Sequence, residues 1–299
     1  MNFVCIRTKL QAIIAMEMIK QGVIGKPYVF VRLFQFTEIE DHWSVRRFYD
    51  QISRLAFMTF SVNQSRGLFL NSAIMFVIAT IASITNGKLF LASIDLYPLA
   101  MALKVNVFAK LVTFDDGTAN IQIRSSSYHS EEPLVGDSVK RKIARWLFPE
   151  GARRFCRDRI IEHYTIYPHH NNIVDSNKLR AIKVDWKATL QESDISRLDR
   201  GVKVVMLGAV YEELLCNGWK ELFDKAYIQC DIYLPHPRER RIPADSSKVI
   251  ECEAPAEAVI SFLLHEYSNK VTLLHFNSSV ALSFAENTRV LSVNLLAGC

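Results

Sequence analysis

The side chains best suited to chemistry in this chain are imidazoles and carboxylates, and few of them are spaced to act together. His169-His170, with His163 and Asp175 close by, offer ligand types that zinc accepts. Their spacing follows no established ligand pattern, so a solvated loop and no metal are expected there. His236, between Pro235 and Pro237, and His265 and His275 read as satisfied core or surface histidines. Glu212 and Glu213 adjoin in sequence, but neighbours one apart on a helix do not share a face. Glu251 and Glu253 could share a strand face, yet nothing beside them completes an acid/base pair. Neither a Gly-x-Ser-x-Gly elbow nor a P-loop is present. The run from Val202 to Gly208-Ala209 has the form of the first strand and turn of a nucleotide-binding unit. The residues after Gly208 (Ala209, Val210, Tyr211, Glu212) would crowd a pyrophosphate at the helix start, so an ordinary βαβ core element is expected. No cofactor is expected, with NAD or NADP admitted only if residues 200–299 supply a site.

The remaining composition sets the frame around these residues. A chain of 299 residues with 49% hydrophobic content is long enough for one large domain or two ordinary ones, and disorder is not the default. The six cysteines form no CxxC pair and read as small apolar core residues of a reducing compartment. The opening residues lack the charged and apolar regions of a secretory leader, which makes a cytoplasmic location the expectation. Leu68–Ile84 runs seventeen residues without a charge, near the lower limit for a membrane span, but Asn71, Ser72, Thr80 and Ser83 favour a buried helix. The net charge is +5, and its excess lies between Lys140 and Arg159, where eight basic residues face Glu150 and Asp158. With Trp146, Phe148 and Phe155 interleaved, that segment could meet an anionic partner, or be a solvated or partner-docking helix.

Along the chain, apolar residues at three- and four-residue spacing predict a helix over 8–21, with Thr8 as its cap and Gly22 and Gly25-Lys26-Pro27 ending it. Strands are expected over Tyr28–Phe36, Leu89–Ile94 and Val105–Phe114, with a helix near 68–85. Asp115-Asp116-Gly117 is a hairpin signal, with Ala119–Ser125 as the returning strand. The fold class expected is therefore α+β, an open and mainly antiparallel sheet with helices on one face, over residues 1–127. A basic helical and loop linker would follow over 128–199. Beyond it, strands alternating with helices predict an α/β region over 200–299 of unassigned role.

Three stretches carry a resemblance. They are Met18–Pro27, which ends Ile24-Gly25-Lys26-Pro27, Gly67–Ile78, and Leu111–Ala119, which contains Phe114-Asp115-Asp116-Gly117-Thr118. In order and spacing they resemble the substrate-side domain of the glucose-fructose oxidoreductase / inositol dehydrogenase (Gfo/Idh/MocA) family, over about residues 5–127. The resemblance implies an NAD(P)-dependent oxidoreductase whose dinucleotide domain, with its Gly-rich loop and Glu-Lys-Pro segment, is missing. In the second stretch, Asn71 stands where that family has its first aspartate, Met75 where it has the catalytic histidine, and Ile78 where it has a second aspartate. A thioether cannot exchange a hydroxyl proton as an imidazole does.

The resemblance thus implies a truncated or rearranged member unable to transfer hydride alone, with its catalytic residues unknown. Arg32, Asn71 and Met75 are the candidates for lining what remains of the substrate pocket. The alternative is a non-enzymatic binding or assembly protein, in which the open sheet is covered by a partner chain or a second copy.

Overall fold

The computed structural model describes residues 1–34, 42–63, 68–94, 97–121, 146–199, 201–209, 218–236, 239, 246–252, 254–267 and 270–297. The chain divides into two units, Met1–Val184 and Asp185–Cys299.

The first unit is built on strands that are apolar without alternation. β1 (Asn2–Ile6), β2 (Tyr28–Phe34), β4 (Lys88–Leu91) and β5 (Lys110–Phe114) bury nearly every residue, on both faces. Such strands suit a parallel sheet covered by helices on each side. With β3 (Met58–Asn63), β6 (Ile160–Thr165) and β7 (Leu179–Ala181) they form one sheet in the order β3-β2-β1-β4-β5-β6-β7, parallel at every pairing. Strand order 3-2-1-4-5-6 is that of the doubly wound nucleotide-binding fold.

The connecting helices form for local reasons. α1 (Lys9–Lys20) opens on a reciprocal capping box between Thr8 and Gln11 and closes at Gly22, whose φ of 74° suits glycine. α2 (His42–Leu55) and α1 cover one face of the sheet, where the Tyr28 hydroxyl donates to the Ile52 carbonyl and the Phe30 and Tyr49 rings meet at 5.6 Å. α3 (Leu68–Ile84) and α4 (Tyr97–Val105) cover the other. There Met75, Ile78 and Ala82 of α3 and Leu99 and Leu103 of α4 pack in one core with Cys5, Val31, Leu89 and Leu111. Among the described residues no helix is long and apolar enough to cross a membrane. α5 (Ala152–Asp158) precedes β6.

The second unit repeats the plan on a smaller scale. After the short α6 (Glu192–Ile195), β8 (Val204–Leu207), β9 (Ile232–Leu234), β10 (Val271–His275) and β11 (Val290–Asn294) form a parallel sheet in the order β11-β10-β8-β9. α8 (Ala256–Glu266) packs on Val205, Leu207, Ile232 and Leu273. α7 (Lys220–Gln229) brings Phe223 and Tyr227 against Met206, Tyr233 and Leu274 on the opposite face.

The open antiparallel α+β sheet expected for residues 1–127 is therefore corrected to a doubly wound parallel one. Asp115-Asp116-Gly117 turns no hairpin. It leads into a 3-10 turn over Gly117–Asn120, where the Asp116 N–H donates to Asn120 Oδ1 at 2.7 Å, and the neighbours of β5 are β4 and β6. The strand expected over Val105–Phe114 begins only at Lys110, because α4 extends to Val105. Residues 122–125 of the expected returning strand lie outside the described residues.

Leu111 is wholly buried in a central strand, so Leu111→Ala should lower unfolding free energy by about 2–5 kcal/mol in urea titrations. Leu291→Ala, on the exposed side of β11, should change it by no more than about 0.5 kcal/mol. Equal losses at both positions would contradict the layered core.

Candidate functional site

In a parallel α/β sheet, ligands bind outside the carboxyl ends of the strands, where the strand order reverses. The first unit reverses between β1 and β4, the second between β8 and β10.

At the first switch point the chain leaves β1 through Arg7 and Thr8 into α1. Gln11 organises this corner: its Oε1 accepts from Arg7 N at 2.8 Å, and its Nε2 donates to Asp116 Oδ1 at 2.7 Å. The Tyr49 hydroxyl donates to the Arg7 carbonyl at 2.7 Å. The carboxyl ends of β1 and β5 are thus tied together across β4.

Beside this corner lies a polar network sealed from solvent. Asp115 accepts the Thr165 hydroxyl at 2.8 Å and the Ile166 N–H at 2.6 Å through Oδ2, and faces His163 Nε2 at 3.1 Å through Oδ1. His163 Nδ1 pairs with the Thr113 hydroxyl at 2.7 Å. Asp115, His163, Thr113 and Thr165 are all fully buried, so an acid/base pairing of familiar form is unable to reach a substrate. Its work is to satisfy buried polar groups and fix the ends of β5 and β6.

The second switch point is less completely buried. β8 runs out into Gly208 and β9 into Pro235-His236, and the two segments approach closely: a Cβ at position 208 would lie 2.3 Å from His236 N. Glu239 holds the turn, accepting the Tyr233 hydroxyl at 2.7 Å and the His236 N–H at 3.1 Å, while its own N–H donates to the His236 carbonyl at 2.8 Å. Burial, and then the neighbouring Glu239 carboxylate, push the Tyr233 phenol far above its ordinary range, so it serves as a donor. The His236 side chain is half-buried at this edge.

Across the switch point, β10 ends at His275, whose Nδ1 accepts the Ser278 N–H at 3.2 Å and whose Nε2 meets Ser292 Oγ at 2.8 Å. A backbone donor on Nδ1 leaves the ring proton on Nε2, and burial lowers the His275 pKa in the same sense. Asn277 holds a left-handed φ of 54° and accepts from Asn294 Nδ2 at 2.6 Å.

The residues singled out from sequence fall apart in space. Arg32 lies at the carboxyl end of β2, with its guanidinium 5.0 Å from the centroid of the Tyr49 ring on the α1 and α2 face. Asn71 and Met75 are buried one turn apart in α3, and Met75 packs in the core on the opposite face. The sheet stands between them, because successive strand residues point to opposite sides. His169 is exposed and His170 stacks edge-on to Tyr167, 6.3 Å away. Among the described residues no three His, Cys, Asp or Glu side chains gather as metal ligands. Glu212, Glu213, Glu253 and the basic residues 140–145 lie outside the described residues. What sequence reasoning missed is the pairing of Gly208 with His236, whose signal was the glycine at the end of one strand and the Pro-His-Pro after the next.

Comparison with known proteins bears on the family of the chain. The sequence profile of glycosyltransferase family 52 matches residues 33–297. An N-acetyllactosaminide alpha-2,3-sialyltransferase of Neisseria meningitidis is 31% identical over 156 residues, covering 51% of this chain and 40% of the relative. A CMP-N-acetylneuraminate:beta-galactoside alpha-2,3-sialyltransferase of Pasteurella multocida is 26% identical over 245 residues, covering 80% and 74%. The chain thus spans well under two thirds of the Neisseria relative. Among solved structures, a UDP-GlcNAc 2-epimerase from N. meningitidis superposes with a TM-score of 0.53 at 13% identity, over 94% of this chain and 79% of that one. A second epimerase, from Listeria monocytogenes, gives 0.51 at 11% identity, over 98% and 84%. These two share the Rossmann-like fold alone. The matches overturn the Gfo/Idh/MocA resemblance. Its motifs were a loop before a strand, an apolar helix and an Asp-Gly turn, all of which a doubly wound sheet also produces.

Two measurements check the site. In the folded chain His275 resists protonation, so as pH falls below the unfolded histidine value of 6.5 only the unfolded state takes up the proton. Stability conferred by the neutral ring is therefore complete above that value and declines below it, until the folded pKa is passed. His275→Asn should flatten this slope in pH-dependent melts, and an unchanged slope would remove the assignment. Gly208→Ala forces its Cβ against the His236 backbone and should cost about 1–3 kcal/mol in denaturant titration, with wild-type stability as the contrary result.

Proposed function

The chain belongs to glycosyltransferase family 52, and from that membership we propose that it transfers sialic acid from a cytidine monophosphate donor to the 3-hydroxyl of a β-galactoside. The observation that carries the reading is the family match across nearly the whole chain, joined to relatives named for that donor, acceptor and linkage. It replaces the expected oxidoreductase and its NAD(P). No observation favours a non-enzymatic assembly role over it.

On this reading the donor nucleotide lies at the carboxyl edge of the second unit, at the switch point between β8 and β10. The bond between the sugar's anomeric carbon and the phosphate oxygen breaks, and cytidine monophosphate departs with the electron pair. The acceptor hydroxyl oxygen bonds to the anomeric carbon and gives its proton to a base or to solvent. His236 is the imidazole to weigh first. His275 is buried and engaged at both nitrogens, whereas His236 is half-buried and has its main chain fixed by Glu239. An imidazole here meets the departing phosphate as a proton or hydrogen-bond donor.

Incubation with CMP-N-acetylneuraminate and lactose should yield cytidine monophosphate and a sialylated disaccharide cleaved by an α2,3-specific sialidase. His236→Ala should reduce turnover by about 10²-fold or more at an unchanged melting temperature. No product from this donor with any β-galactoside, or epimerisation of UDP-N-acetylglucosamine instead, would overturn the reading.

A further inference from the structure

One cation of the first unit lacks the partner that an enclosed charge ordinarily has. Arg32 is half-buried near the carboxyl end of β2, and its Nε is shut off from solvent with no hydrogen-bond partner. Among the described residues no carboxylate pairs with its guanidinium. Its neighbours are rings: the guanidinium carbon lies 5.0 Å from the centroid of Tyr49 and 5.9 Å from that of Phe34. Ring faces stabilise the positive charge but give the N–H groups no acceptor in the guanidinium plane. A buried donor left without an acceptor carries a cost that an anionic ligand removes.

The surroundings hold this group in place. Tyr49 is buried, its ring meets that of Phe30 at 5.6 Å, and its hydroxyl donates to the Arg7 carbonyl at 2.7 Å, so the ring against Arg32 is a rigid platform. Alternation along β2 puts Phe30 and Arg32 on the side of the sheet that meets α2, and Val31 and Leu33 on the other. In the parallel register Arg32 stands beside Ser61 and Phe34 beside Asn63, so both residues of β3 share that side. β3 is the outermost strand, and Ser61 is exposed on it. The carboxyl end of β2 and β3 thus sets a guanidinium, a hydroxyl and a carboxamide side by side.

These residue types select a ligand. The planar fork of a guanidinium matches the paired oxygens of a carboxylate or a phosphate. Hydroxyl and carboxamide groups both donate and accept, as the hydroxyls of a saccharide require. On the transferase reading, on which this inference rests, the nucleotide donor belongs to the second unit, and the substrate left for the first is the acceptor. We propose that the β2–β3 corner of the first unit binds the acceptor saccharide through an anionic substituent, a carboxylate or a phosphate, with Arg32 as the specificity-determining residue.

Titration calorimetry of the full chain without donor reads this site directly, comparing lactose 1-phosphate and 4-carboxyphenyl β-lactoside with phenyl β-lactoside. At least one of the two anionic ligands should bind about tenfold more tightly than the neutral one, and the one preferred names the substituent. With CMP-N-acetylneuraminate as donor, its KM should be lower by a similar factor. Arg32→Gln should abolish the preference, and Arg32→Lys should retain part of it, since an ammonium keeps the charge without the fork. Ser61→Asp, a change at an exposed position, should reverse the preference by repulsion. Equal affinity for charged and neutral lactosides, or a preference that survives Arg32→Gln, would overturn the proposal. So would an Arg32→Gln effect confined to the KM of CMP-N-acetylneuraminate, which would assign the guanidinium to the donor. Arg32-dependent binding of the anionic lactosides without transfer to any of them would uphold the anion site and remove the transferase reading.

Discussion

A parallel strand between two parallel neighbours must be covered on both faces, and the rest of this structure follows from that requirement. The residues of β1 and β4 that face α3 and α4, such as Cys5 and Leu89, are apolar, and so are those between them, Val4 and Phe90. Each crossover must therefore place a helix on one side or the other. The reversal of strand order at β1/β4 and at β8/β10 then opens a place at the carboxyl edge where no helix lies across the strand ends. The candidate site is a consequence of covering the sheet.

The two carboxyl edges treat their polar residues differently. In the first unit, Asp115, His163, Thr113 and Thr165 satisfy one another and exclude solvent, so residue types associated with catalysis become structural. In the second, Glu239 fixes the main chain of His236, which is half-buried at that edge. Residue type alone does not distinguish the two edges; burial does. The same distinction applies to His275, whose two nitrogens are occupied by Ser278 N–H and Ser292 Oγ.

Much of the local structure was legible in the sequence, because it is set by neighbours in the chain. Thr8, Gln11 and Gly22 delimit α1 through a capping box and a left-handed glycine, and the charge-free run at 68–84 is α3. The direction of the strands was not legible. Asp115-Asp116-Gly117 is a sound hairpin signal in isolation, but Gln11 binds Asp116 and the Ile166 N–H binds Asp115, and these distant partners turn the segment into a strand end. The grouping of site residues was hidden for a similar reason. Arg32 and Met75 fall on opposite faces of a sheet whose existence depends on pairings between strands dozens of residues apart. Gly208 and His236 meet only because β8 and β9 are adjacent.

Parallel strands also give the sheet a polarity that an antiparallel sheet lacks, since every amino end lies on one side and every carboxyl end on the other. Substrate chemistry gathers at the carboxyl edge, where the helices begin and the order reverses. The amino edge is left with short loops that enter strands, and selection can shape these without disturbing the reactive geometry. In this chain those loops carry Phe57, Val107 and Phe108, set among lysines and arginines, and Arg159 holds one of them in place through three backbone carbonyls. Within each unit, the polarity of the parallel sheet separates the carboxyl edge, where the strand order reverses, from an amino edge that only joins helices to strands.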